Sequence, residues 1–246
     1  MDLRTRGLVL RAVDYKEADK ILTVLTEDAG RLTVSARGAR SKRSKFTATS
    51  QLLAFSELDL QERYGRWYLK EGRAVELFSG LRQDIVALSV GAYFAELLEA
   101  VSDMDYDDPG LLHLGLTGLH VLSGGTRDPM LVKAAFELRL MCLSGYTPEV
   151  GACPKCGAGD PQSPMLSLRA GHIHCGKHHP DGGGASLSLD QGSLSALRHI
   201  VSAPENRVFA FALGTEGMAH LTSLAEGYVL AQLERRFRTL DFLKQL

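Results

Sequence analysis

The sequence predicts an α+β protein: a small N-terminal β-barrel, then an α-helical domain carrying a Cys/His insertion. Three observations carry that expectation. Short β-like segments crowd residues 1–80, apolar residues recur every three or four positions after them, and two Cys/His knuckles interrupt the helical pattern in a stretch rich in Gly, Pro and Ser. The expected boundaries are 1–80 for the barrel and 81–246 for the helical domain, with the insertion at about 150–184.

Composition sets outer limits. At 246 residues, 45% hydrophobic and 23% charged, the chain can bury a sizeable core. It has no run of about 18 apolar residues, so no membrane-spanning segment is expected. Met1 to Arg6 lack the apolar stretch of a secretory signal, which points to a cytoplasmic protein. The net charge is only −1, but it is unevenly spread: residues 1–80 carry 15 Lys and Arg against 11 Asp and Glu, and the remainder 13 against 18. A basic module joined to an acidic one fits that asymmetry. Of the four cysteines, Cys153, Cys156 and Cys175 fall in the knuckles. A reducing compartment disfavours disulfides, and Cys142, inside a helical pattern, reads as a buried thiol.

Five strands are expected at 7–13, 20–25, 31–36, 51–60 and 66–71. The third alternates strictly, with Leu32, Val34 and Ala36 inward and Arg31, Thr33 and Ser35 outward. Five short strands with no long helix between them predict a barrel of OB-fold type. The third and fourth strands are joined by Arg37-Gly38-Ala39-Arg40-Ser41-Lys42-Arg43-Ser44-Lys45-Phe46, and no acidic residue occurs between Arg31 and Leu53. Small spacers let the backbone approach a phosphate chain, and the cations displace its counterions. A basic run alone fits a solvated loop equally well. The aromatics Phe46, Tyr64, Trp67 and Tyr68 tilt the reading, because a barrel with a cationic loop and exposed rings grips single strands. Trp67 and Tyr68 are adjacent in a strand, so only one can face the core. The candidate nucleic-acid residues are Arg37, Arg40, Lys42, Arg43, Lys45, Phe46, Tyr64 and Trp67.

Helices are expected over 81–101, 111–122 and 130–143, the last two opened by Asp108-Pro109 and Asp128-Pro129, and over 190–201 and 217–238. Arg235, Arg236 and Arg238 would suit the C-terminal dipole of the last, or a DNA phosphate. Two decoys fall away. Asp103, Asp105, Asp107 and Asp108 begin like a calcium loop, but Asp108 stands where Gly is needed and Leu114 where the bidentate Glu is needed. Gly171 to Lys177 satisfies G-x4-G-K, but His178 follows instead of Ser or Thr, so no nucleotide site is expected.

The knuckles are Cys153-Pro154-Lys155-Cys156 and Cys175-Gly176-Lys177-His178. Their repeated two-residue spacing suits tetrahedral zinc, with Cys153, Cys156, Cys175 and His178 as ligands. His172, His174 and His179 are alternative fourth ligands; His178 is preferred because Cys-x2-His mirrors Cys-x2-Cys. A redox pair lacks its βαβ context, while an eroded site without metal stays open. Four ligands in two closed turns point to one structural zinc.

The opening stretches Gly7-Leu8-Val9-Leu10-Arg11, Tyr15-Lys16-Glu17-Ala18-Asp19-Lys20-Ile21-Leu22 and Ala36-Arg37-Gly38-Ala39-Arg40, with Thr26, Gly30, the knuckles and Tyr228 before Arg236-Phe237-Arg238, resemble the bacterial RecO recombination-mediator family in order along the whole chain. The resemblance implies a non-enzymatic protein that anneals complementary strands. It also implies partnership with RecR and single-strand-binding protein in loading the RecA recombinase. In many members it implies a four-cysteine zinc site, from which His178 departs as a competent imidazole replacement. The barrel is expected to bind single- and double-stranded DNA without sequence preference. Two other readings remain: a zinc-dependent nucleic-acid enzyme, although the H-x-E element of deaminases is missing before Cys153, and an assembly adaptor whose loop meets an acidic protein.

Overall fold

The computed structural model describes residues 1–104, 108–178 and 184–246. Asp105 and Asp107 of the calcium-like run, and His179, lie outside the described residues. Five strands form first: β1 (Asp2–Tyr15), β2 (Asp19–Thr26), β3 (Arg31–Ala36), β4 (Phe55–Arg63) and β5 (Arg66–Glu76). They close a barrel in the order β1-β2-β3-β5-β4. Every neighbouring pair is antiparallel except β3 and β5, which run parallel with Val34 opposite Trp67 and Ser35 opposite Tyr68. Register shifts in β1 after Val9 and in β4 near Phe55 and Asp59 bend these strands, as barrel closure requires.

The alternation read in β3 is the alternation observed: Leu32, Val34 and Ala36 are buried. They meet Val9, Leu22, Val24, Leu58, Leu60 and Leu69 in one core. That core also takes Phe46 from the β3–β4 connection.

The helices follow: α1 (Ile85–Val101), α2 (Pro109–Ser123), α3 (Pro129–Leu143), α4 (Gln191–Ser202), α5 (Thr215–Leu233) and α6 (Arg238–Leu243). Both Asp-Pro signals act as read. The Asp108 carboxylate accepts from the backbone N–H of Gly110 and Leu111, and that of Asp128 from Met130 and Leu131. A three-stranded sheet, in the order β7-β6-β8, lies between α3 and α4 in sequence: β6 (Pro164–Ser167), β7 (Ile173–Cys175) and β8 (Ser186–Ser188). The G-x4-G-K decoy dissolves into β7 and its flanking turns.

The chain divides into two compact units, Met1–Gly125 with Phe237–Leu246, and Thr126–Arg236. The change from strand to helix near residue 80 therefore falls inside the first unit, where α1, α2 and α6 accompany the barrel. The second unit holds α3, α4, α5 and the small sheet. Its core includes an ion cluster: the Lys133 ammonium, fully buried, lies 2.9 Å from Glu137 and 3.3 Å from Glu226.

The last helix differs from expectation. The pattern predicts a continuous helix over 217–238, but α5 stops at Leu233, where Glu234 takes a left-handed conformation with φ of 49°. Phe237 is then fully buried, edge-on to Tyr93 with ring centroids 5.7 Å apart. Arg238 opens α6, its N–H donating to the Glu96 carboxylate. Arg238 thus stands at a helix N-terminus, not at the C-terminus that the dipole reading required. Phe237→Ala should cost about 3–5 kcal/mol in the unfolding free energy measured by urea titration, because it empties a fully enclosed aromatic site.

Candidate nucleic-acid interface and metal centre

The β3–β4 connection is a chain of tight turns. Asp19 Oδ1 accepts from the Gly38 N–H at 2.8 Å, and Ala18 O from the Arg40 N–H at 2.9 Å, so the β1–β2 hairpin turn braces the start of the loop. Phe46 anchors the far side in the barrel core, only 6% exposed. Its ring is therefore unavailable for stacking on a base. The sequence placed Phe46 among the stacking candidates because a ring after a basic run looks exposed; the apolar interior of the barrel is the stronger pull.

The cations divide by what they touch. Arg37, Lys42, Arg43 and Lys45 are exposed. Arg37 lies over the Tyr68 ring, 4.6 Å from its centroid, and Lys45 lies 5.2 Å from the Phe46 centroid. Lys45 also edges a groove of about 630 Å³ with Asp2, Arg4, Asp59, Lys70 and Glu71, so its field there is mixed. Arg40 is bound inward: its guanidinium donates to the carbonyls of Lys16 and Glu17 and pairs with Asp14 at 3.2 Å. It pins the loop to the hairpin through Nε and Nη1, while its side chain keeps 37% exposure.

Among the rings, Tyr64 is fully exposed at the tip of the β4–β5 hairpin, where it and Gly65 have φ of 52° and 71°. Trp67 is half-buried and packs against the barrel core. Tyr68 points to the other face, beneath Arg37. The two-faced reading of this pair is realised, with Trp67 taking the core side. Tyr68 and the Tyr15–Lys16 pair of the hairpin turn, 5.3 Å from ammonium to ring centroid, are surface ring–cation pairs absent from the candidate set. The strand pairing of Ser35 with Tyr68 is the signal that places Tyr68 beside the loop, and it is a long-range one.

The metal-ligand cluster lies in the second unit. Cys153 and Cys156 flank one turn, closed by the Gly157 N–H on Cys153 O at 2.8 Å and the Cys153 N–H on Ala158 O at 2.9 Å. Gly157 has φ of 73°, a conformation that costs glycine little. Cys175 ends β7, and the His178 N–H donates to Cys175 O at 2.8 Å, closing the second turn. The turns bring Cys153, Cys156, Cys175 and His178 together with all ligand atoms within 4.8 Å of one another. Cys153 Sγ lies 3.4 Å from His178 Nδ1, and Cys156 Sγ 3.6 Å from Cys175 Sγ. A tetrahedral ion with metal–sulfur bonds of about 2.3 Å requires sulfur–sulfur edges of about 3.8 Å. The donor set and its spacing therefore fit one such ion.

His174 is buried and occupied: its ring nitrogens lie 3.0 Å from Cys175 O and 3.1 Å from Ser186 Oγ, tying β7 to β8. His172 is outside the cluster. Backbone N–H groups, that of Cys175 foremost, pull the Cys153 thiol down to about 5, while burial and the neighbouring thiols push Cys175 up to about 11. The surroundings of Cys153 thus favour its thiolate, and Cys175 must release its proton to ligate.

No helix among the described residues is long and apolar enough to cross a membrane. The closed barrel, the helices after it and the Cys3His cluster define a barrel-and-helix protein with a closed, metal-competent knuckle pair. Residues 1–78 match the family model for the recombination protein O N terminal, and residues 82–241 that for the recombination protein O C terminal. The DNA repair protein RecO of Acetivibrio thermocellus is 31% identical over 99% of this chain and 97% of its own length. That of Symbiobacterium thermophilum is 32% identical over 98% and 96%, and that of Heliobacterium modesticaldum 30% over 99% and 89%. This chain belongs to the recombination protein O family.

Three outcomes test the metal centre. Cys153→Ser should abolish stoichiometric metal by elemental analysis and lower the melting temperature, whereas His174→Ala should keep the metal. Because Cys175 loses a proton on ligation, the apparent metal affinity should rise with pH between 6 and 8 in a chelator competition; a flat profile would contradict the assignment.

Proposed function

We propose that this protein is a non-enzymatic mediator of DNA repair and recombination. In this reading its barrel, residues 1–80, binds single- and double-stranded DNA without sequence preference. It anneals complementary strands and, with RecR, helps load RecA onto strands coated by single-strand-binding protein, as a cytoplasmic protein associated with the nucleoid. The observation that carries the reading is the match of both family models, end to end, on a chain whose barrel presents an outward cationic loop. Arg37, Lys42, Arg43 and Lys45 would neutralise phosphates in succession, and Tyr64, fully exposed at its hairpin tip, would offer a face to an unstacked base. Arg40 would hold the loop in shape. Zinc at Cys153, Cys156, Cys175 and His178 would hold the insertion together and take no part in DNA chemistry; thiolate and imidazole ligands favour it.

Salt-titrated binding to single- and double-stranded oligonucleotides tests this. If the four exposed loop cations each neutralise one phosphate, log affinity for single strands should fall against log salt with a slope of about −3. Arg37→Ala, Lys42→Ala, Arg43→Ala and Lys45→Ala together should weaken binding on every sequence and flatten that slope. Annealing should proceed without ATP. Unchanged affinity in the quadruple variant would refute the loop, and strand cleavage would favour a nucleic-acid enzyme.

A further inference from the structure

The first knuckle is held from outside by a residue of α4. Arg198 Nε donates to Val150 O at 2.9 Å and Nη2 to Gly151 O at 3.3 Å, on the strand of chain entering the turn. On the strand leaving it, Nη2 donates to Gly159 O and Nη1 to Asp160 Oδ1 at 2.8 Å. One planar group thus bridges residues 150–151 to 159–160, with Cys153 and Cys156 in the loop between. The Gln191 side chain adds a bond to Pro161 O at 3.3 Å from the first turn of the same helix. α4 is itself fixed: Asp190 and Ser193 form a reciprocal capping box, and Leu194, Leu197 and Ile200 are buried.

We infer that Arg198 is the positioning residue of the metal centre. It closes the neck of the first knuckle so that Cys153 and Cys156 are held at ligating distance of Cys175 and His178 before the ion arrives. A guanidinium suits this task because its rigid fork of donors reaches both strands at once, which a single ammonium cannot do. Three of its four acceptors are backbone carbonyls, so the clamp acts through chain geometry. The Asp160 side chain is 82% exposed and contributes little. The inference rests on the reading of Cys153, Cys156, Cys175 and His178 as a zinc site. It adds that ligand geometry depends on a residue more than forty positions away in sequence from Cys153 that acts through the backbone flanking the knuckle.

The test is titration of the metal-free full chain with Co²⁺, followed by its visible absorption, and with Zn²⁺ in competition with a chromophoric chelator. Arg198→Ala should lower affinity by about tenfold, the lower end of what losing a group bonded directly to a metal ligand does, because Arg198 acts one step further out through the backbone. Arg198→Lys, which keeps the charge, should still lose several-fold and decides the matter if the alanine variant does not fold. Asp160→Asn should stay within about two-fold of the wild type, as expected for an exposed ion pair. The rise in melting temperature on adding Zn²⁺ should shrink in the Arg198 variants, which a purely structural role would leave intact. Wild-type affinity in Arg198→Lys, or an equal loss in Asp160→Asn, overturns the clamp. A wild-type protein that binds neither ion overturns the zinc reading and the clamp with it, and is told apart because the wild-type titration alone is flat.

Discussion

Burial of the Phe46 ring in the barrel is the contact on which the candidate DNA-binding surface depends. The β3–β4 connection is long, cationic and without strand or helix of its own, and such a segment has little of its own to offset the entropy of ordering. Taking a phenyl ring out of water contributes about 1.5–3 kcal/mol at that point. Asp19 and Arg40 hold the other end against the β1–β2 hairpin. Between these anchors the chain turns Lys42, Arg43 and Lys45 outward, while Arg37 rests on Tyr68. The barrel core and the charged surface are therefore one construction: the apolar member of the loop goes in, and its charged neighbours are left on the outside.

Arg40 and Arg37 carry the same charge three residues apart and have opposite surroundings. Arg40 turns Nε and Nη1 to a carboxylate and two carbonyls, while Arg37 lies over a ring and is exposed. A guanidinium over an aromatic face retains its donors for an anion, so the stacked arginine suits phosphate better than the bridged one. The Cys3His cluster follows a separate logic in the other compact unit. Its turns are closed by their own backbone hydrogen bonds, and the neck of the first is crossed by Arg198. A scaffold of this kind fits a protein whose proposed activity lies in the barrel.

Much of this was legible in the sequence where the signal is local. Alternation pointed to β3, the Asp-Pro pairs to the starts of α2 and α3, and the repeated two-residue spacing to the four members of the Cys3His cluster, His178 included. What escaped depends on contacts distant in sequence. Phe46 looks like any ring after a basic run until the barrel closes around it. Lys133 and Glu137, one helical turn apart, resemble a solvated pair, yet both are fully buried with Glu226 beside them. The break after Leu233 has no Pro or Gly to announce it; it is set by the burial of Phe237. The three short strands around the knuckles are too brief for a period to be read.

Hydrogen exchange of the full chain, with and without a saturating single-stranded oligonucleotide, tests the central claim most directly. The account predicts that slowed exchange concentrates in residues 37–48, the hairpin turn at 15–19 and the strand around Tyr68, and fades as salt is raised. Protection confined to residues 126–236, or none in the loop at saturation, would contradict it.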